Sequence, residues 1–140
     1  MLESTARTLV VDDFVPWLAF VQTCLRQELN ICIIGSAIDG LEAVQQATEL
    51  QPDLVLLDVG LPRLNGIEAA RQIRKAAPKC AVLFLSEVSD CDVVRVALGS
   101  GARGYVLKSE ATRDLATAVQ IILEGKRFVS HNLINCDDSP

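Results

Sequence analysis

The 140-residue sequence predicts an α/β domain, with five parallel strands alternating with helices in a doubly wound sheet. Three observations carry this. Short apolar runs alternate five times with segments whose apolar residues fall at helical spacing. The runs are apolar on both faces, as strands covered by helices on both sides must be. No internal repeat and no Gly-, Ser- or Pro-rich linker divides the chain.

Each element has its own signal. "RTLVVDD" reads as a strand ending in acid. In "VPWLAFVQTCLRQEL" the residues Trp17, Leu18, Val21, Cys24 and Leu25 make one apolar helical face, and Pro16 suits a first turn. "NICIIGSAID" is the second strand, and "GLEAVQQATEL" a helix stopped by Pro52. "DLVLLD" is the third strand, with Asp58 as its last member. "GIEAARQIRKAA" places Ile67, Ala70 and Ile73 on one helical face before Pro78. "CAVLFLS" is the fourth strand, and "DCDVVRVALGSGA" a helix ended by glycines. "GYVLK" is a short fifth strand, and "DLATAVQIILEG" the last helix, with Gly125 at its C-terminal end. Residues 129–140 read as a loose extension or the start of a linker, so the domain is expected to span residues 1–128.

Composition narrows the function. Half the residues are apolar, which supports one real core. No run approaches the roughly 20 apolar residues of a membrane span, and no leader pattern opens the chain, so a cytoplasmic domain without membrane contact is expected. Net charge is −5 and the isoelectric point about 4.8, which argues against the domain gripping nucleic acid. The five cysteines (Cys24, Cys32, Cys80, Cys91 and Cys136) are odd in number and lack CxxC spacing. They read as small buried thiols in a reducing compartment.

Ligands of open parallel sheets bind at the carboxyl ends of the strands. Those ends carry Asp12 and Asp13 (first), Asp39 in a turn (second), Asp58 (third), Ser86 and Glu87 (fourth) and Lys108 (fifth). Clustered carboxylates repel, and Mg²⁺ with its oxygen ligands relieves that. Lys108 and Ser86 offer a positive charge and a hydroxyl to a phosphoryl group, and Asp58 is the natural nucleophile. Taken singly, each has a plainer reading: Asp12, Asp13 and Ser86 as helix caps, Asp58 as a turn residue, Lys108 as a solvated charge. Their joint placement at successive strand ends favours the chemical reading.

The motifs "VVDD", "LLDVGLPRLNGIEAARQIR", "VLFLS" and "GARGYVLK" resemble, in order and spacing, a response-regulator receiver domain, the CheY-like phosphoacceptor module of two-component signalling. The resemblance covers about residues 7–125. With "GKRFVS" it is similar to the NarL/FixJ (LuxR-type) subfamily. It implies a flavodoxin-like strand order 2-1-3-4-5, the order long associated with this family. It implies Asp58 as the phosphoacceptor, and Mg²⁺ held by Asp13, Asp58, the Gly60 carbonyl and, through water, Asp12. Ser86 and Lys108 would bind the phosphoryl group, and Ser86 and Tyr105 would form the conformational switch. The implied partners are a sensor histidine kinase and, on phosphorylation, a second copy of the chain. Such a domain is a signalling switch that catalyses its own phosphorylation and dephosphorylation, not a classical enzyme. Its usual output is transcription through a helix-turn-helix domain, which these residues do not include, so a piece of a longer regulator and a stand-alone receiver both stay open.

Three departures from the family pattern stand out. Ser109 follows Lys108 where proline is frequent, Gly60 has no side chain near the phosphoryl site, and Glu87 adds an acid there. Alternatives also remain at this level. An aspartyl phosphohydrolase would want a second aspartate where Gly60 stands. A nucleotide-binding domain would want a glycine-rich phosphate loop. A pseudo-receiver would serve only protein contact.

Overall fold

The computed structural model describes residues 5–136. The elements run β1 (Ala6–Val11), α1 (Val15–Arg26), β2 (Ile31–Ala37), α2 (Gly40–Leu50), β3 (Leu54–Leu57), α3 (Gly66–Ala76), β4 (Ala81–Ser86), α4 (Cys91–Gly99), β5 (Gly104–Leu107), α5 (Ala111–Leu123) and β6 (Phe128–Val129). Two 3₁₀ turns, Lys108–Glu110 and His131–Cys136, follow β5 and β6. The sheet order is β2-β1-β3-β4-β5-β6, with every neighbouring pair parallel.

Alternation along the strands splits the core in two. Leu9, Val11, Val55, Leu57, Phe84 and Tyr105 face α2, α3 and α4 through residues such as Ala43, Ala70, Ile73 and Val94. Val10, Leu54, Leu56, Leu83, Leu85 and Val106 face α1 and α5 through Leu18, Val21, Leu25, Leu115, Val119 and Ile122. The central strands β3, β4 and β5 are buried throughout, which is why they read as unbroken apolar runs.

Local chemistry sets the helix bounds. Asp39, Asn65 and Asp90 cap α2, α3 and α4 by accepting from first-turn amides. Helix α1 has no side-chain cap, and Pro16 lies in its first turn. Gln51 turns left-handed before Pro52 to close α2, and Gly125 takes a φ of 86° beyond the end of α5.

Three expectations are corrected. First, the sheet has six strands, because Phe128 and Val129 pair with Gly104 and Tyr105. Two residues between Arg127 and Ser130 are too short a run to announce a strand. Second, residues 129–136 are not a loose extension. Leu133 and Cys136 are buried, and Ser130 bonds back to β5. Positions 137–140 of the expected tail, and positions 1–4 of the N-terminal stretch read as leader-free, lie outside the described residues. Third, the cysteines are not all reduced and buried. Cys91 and Cys136 form a disulfide, Cys32 is exposed and Cys24 half-buried. The pairing joins residues 45 apart in sequence, which only the return of the tail across β5 brings together.

The strand ends also shift slightly. Asp58 stands one residue beyond β3, and Lys108 opens the 3₁₀ turn after β5. The Lys108–Ser109 peptide is trans, as are all those among the described residues.

Helix α3 begins hard against the Asp58 loop. The Gly66 N–H donates to the Val59 carbonyl at 2.7 Å, and a β-carbon at Gly66 would collide with the Asp58 carbonyl oxygen. Gly66→Ala is therefore expected to cost about 1–3 kcal/mol, the range for overpacking. Urea unfolding measures it, and an unchanged midpoint would show that the loop has slack.

Candidate functional site

The carboxyl edge of the sheet gathers the acids. Asp12 and Asp13 follow β1, and Asp58 follows β3, its N–H donating to the Val11 carbonyl at 3.4 Å. Carboxylate oxygens of Asp12, Asp13 and Asp58 lie within 4.8 Å of one another. Asp12 is buried, Asp58 half-buried and Asp13 exposed.

Lys108 answers that charge. Its Nζ is 2.6 Å from Asp12 Oδ2 and 3.1 Å from Asp58 Oδ2. The ammonium donates a directed hydrogen bond to Asp58, whereas Asp12 Oδ2 is held by charge alone and has no directed hydrogen bond. Nζ also lies 5.1 Å from the ring centroid of Trp17, within range of a cation–π contact. The other oxygens are taken locally: Asp12 Oδ1 accepts from Phe14 N at 2.9 Å, and Asp58 Oδ1 from Gly60 N at 3.3 Å.

Burial pushes the Asp12 carboxyl above its ordinary value, and the Asp58 charge adds to that. The close Lys108 ammonium and the Phe14 hydrogen bond oppose it without overcoming it. Burial alone would lower the Lys108 ammonium, but Asp12 and Asp58 outweigh it and raise the group.

Ser86 and Tyr105 form a second group around the loop between β4 and α4. Ser86 is fully buried, and its Oγ accepts from Val88 N at 3.2 Å. Tyr105 is also fully buried, and its hydroxyl donates to the Val88 carbonyl at 2.6 Å. Its ring lies 6.0 Å from that of Phe84. Burial raises the Tyr105 phenol, partly offset by a hydrogen bond with Ser86 and reinforced by the Asp58 charge. Glu87 points to solvent.

Seven sequence-predicted residues thus fall into two adjoining groups. Asp12, Asp13, Asp58, Gly60 and Lys108 surround the acidic cluster, and Ser86 and Tyr105 share Val88. Gly60 reaches Asp58 through its N–H, and open space surrounds the place of its absent side chain. Two contributors escaped the sequence. Trp17 was legible only as part of an apolar helix face. Val88 acts through its backbone, which no side-chain pattern reports.

The donor set suits a hard divalent cation. Three carboxylates converge, and Asp12 Oδ2, buried without a directed donor, keeps coordinating capacity. With Lys108 alone, three negative charges face one positive charge.

A doubly wound sheet with an acid triad and a lysine at its carboxyl edge is the architecture of a receiver-like α/β domain. Residues 8–120 match the response regulator receiver domain, and the chain belongs to that family. It is 32% identical over 136 residues to the transcriptional regulatory protein DegU of Brevibacillus brevis, covering 94% of this chain and 58% of that protein. It is 35% identical over 123 residues to the response regulator protein VraR of Staphylococcus aureus, covering 87% and 58%. The chain therefore spans somewhat over half the length of these curated relatives. Among solved structures, it resembles a LuxR-family two-component response regulator from Aurantimonas sp. SI85-9A1 (TM-score 0.89, 31% identity, 94% of both chains). It also resembles the receiver domain of the putative response regulator NarL from Mycobacterium tuberculosis (TM-score 0.83, 27% identity, 89% of this chain and 100% of that one). The protein is a receiver domain of a two-component response regulator of the NarL/LuxR type. No helix among the described residues is long and apolar enough to cross a membrane.

Asp12 sets a pH dependence. Its native value lies above 3.8, so its contribution to stability is full below pH 3.8 and is lost as the pH rises through the raised native value. Asparagine cannot ionise and escapes that loss. In metal-free buffer, Asp12→Asn is expected to gain stability relative to wild type as the pH climbs from about 4 to about 8. Lys108 does not interfere, since its raised value lies above 10.5. Urea midpoints of the two proteins across that range measure the gap, which a constant difference would contradict.

Proposed function

We propose that this domain accepts a phosphoryl group on Asp58 from a sensor histidine kinase in the cytoplasm, with Mg²⁺ as its cofactor. The observation that carries the reading is Lys108 Nζ set between Asp12 and Asp58, beside an acidic cluster of the right composition. Asp13, Asp58, the Gly60 carbonyl and, through water, Asp12 would hold the ion. When bound, it would neutralise oxygens of the phosphoryl group.

The protein groups have distinct tasks. An Asp58 carboxylate oxygen attacks phosphorus as the bond to the donor imidazole nitrogen breaks, and the electron pair stays on that nitrogen. The product is an acyl phosphate. Lys108 exchanges a carboxylate partner for a phosphoryl oxygen, which keeps its charge compensated throughout. The Ser86 hydroxyl turns from Val88 to donate to the phosphoryl group. Tyr105, buried against Val88, supplies the inward state of the switch. Phosphorylation favours that state over an outward one, which is a population shift rather than a new fold.

Each event modifies the domain itself, so the domain is a switch with autophosphorylation and autodephosphorylation capacity rather than a classical enzyme. The relatives named as transcriptional or response regulators are longer than this chain. One of them, DegU, is named a transcriptional regulatory protein, which supports a reading in which the switch controls transcription, through a DNA-binding domain outside these residues and with homodimerisation on phosphorylation. The acidic receiver itself would not touch nucleic acid.

Two measurements test this. Incubation with Mg²⁺ and acetyl phosphate is expected to add one phosphoryl group by intact mass, lost in Asp58→Asn and slowed about a hundredfold in Lys108→Ala. No addition to wild type, or addition that persists in Asp58→Asn, would overturn the assignment. Mg²⁺ alone is expected to stabilise the wild type by about 2.7 kcal/mol at a hundred times its Kd. Asp13→Asn should lose most of that gain in a thermal melt, and an undiminished gain would remove Asp13 from the ligand set.

A further inference from the structure

We propose that Cys91 and Cys136 are a reversible thiol–disulfide site that clamps the C-terminal segment onto α4 and the β4–α4 loop. The two cysteines are bonded, with Cα atoms 4.9 Å apart. Cys91 is the first residue of α4, directly after the loop that carries Val88. Cys136 ends the segment that follows β6.

That segment is fastened at several points along its length. Ser130 donates its N–H to the Tyr105 carbonyl at 3.0 Å, and its Oγ accepts from Leu107 N at 2.9 Å. Asn132 Nδ2 donates to Glu110 Oε2 at 2.6 Å, and Arg95 Nε to the Cys136 carbonyl at 3.2 Å. Leu133 is buried in the same cluster as Tyr105 and Phe84. With the disulfide closed, the contacts make a ring. It runs from Cys91 back to Val88, across the Val88 carbonyl to Tyr105, along β5 to Ser130, and through the segment to Cys136. Tyr105 is a link of this ring, and Ser86, which accepts from the Val88 N–H, adjoins it. The clamp stands on these contacts, while its effect on signalling rests on the switch roles proposed above.

The other cysteines do not compete. Cys80 is buried, and burial pushes its thiol up to about 12, far from the reactive range. Cys24 and Cys32 are free thiols outside the ring.

The chemistry needs a low-molecular-weight disulfide as oxidant. Cys91, the less buried of the pair, attacks one sulfur as thiolate and expels one thiolate from the oxidant. The Cys136 thiolate then attacks the Cys91 sulfur of the mixed disulfide and expels the second. Two protein thiols give up two protons and two electrons, and one small disulfide becomes two thiols. A thiol reductant reverses both steps. In a reducing compartment, a disulfide of this kind is transient and sensing rather than permanent.

The test uses the full chain, held in oxidised glutathione or in dithiothreitol. Peptide mapping is expected to find the Cys91–Cys136 cross-link in the first and free thiols in the second. Amide exchange of Val88, Val94, Leu107 and Leu133 is expected to slow about tenfold on oxidation. Cys136→Ser should exchange like reduced wild type in both buffers, and reduced wild type serves as the reference if the variant folds poorly. Asp58→Asn, which cannot be phosphorylated at that position, should show the same redox effect, so the clamp is judged apart from the phosphorylation reading. A cross-link between other cysteines or between chains would overturn the proposal, as would equal exchange in the two redox states.

Discussion

Lys108 sits between two carboxylates, and the carboxyl edge of the sheet depends on it. The sheet delivers Asp12 and Asp58 to adjacent strand ends because β1 and β3 are neighbours, and burial then raises the cost of leaving Asp12 charged. One ammonium from the end of β5 reaches across β4 to meet both. The Trp17 ring beneath it helps set its position. The balance is incomplete: Asp13 adds a third carboxylate beside the pair that the one ammonium bridges. A site under-neutralised in this way attracts positive charge.

Much of this was legible because it is local or periodic. The ends of α2 and α3 could be read from Pro52 and Pro78, and the structure stops the helices just before them. Strands β3, β4 and β5 could be read because burial on both faces leaves no room for polar residues. Asp12, Asp13, Asp58 and Lys108 could be found because a parallel sheet sends every strand end to one edge. What stayed hidden depends on long-range return or on backbone. Strand β6 has two residues, and its pairing with β5 is what gives it identity. The Cys91–Cys136 bond needs the chain to come back across the sheet. Val88 holds Ser86 and Tyr105 through its amide and carbonyl, atoms that every residue type shares.

The two halves of the site are built differently. The acidic half is fixed by strand ends and by Gly66, whose lack of a side chain lets α3 close on the Asp58 loop. The Ser86–Val88–Tyr105 half hangs on a loop between a rigid strand and a helix that starts at Cys91. Rigid placement suits the phosphoacceptor role proposed for Asp58. A loop held by two hydrogen bonds suits the switch role proposed for Ser86 and Tyr105, since few bonds have to break.

The sixth strand also decides how the sheet ends. A parallel sheet has two edges, and each unpaired edge is an invitation to another chain. Phe128 and Val129 pair with Gly104 and Tyr105 of β5, so the sheet is bordered by the two-residue β6 and, on the other side, by β2. There the pairing with β1 slips between Thr8 and Leu9, and Cys32 faces out. A register slip of that kind bends the border and spoils it as a template. The other border offers only the two residues of β6, so under crowding or partial unfolding neither flank gives another chain a long, flat strand to extend.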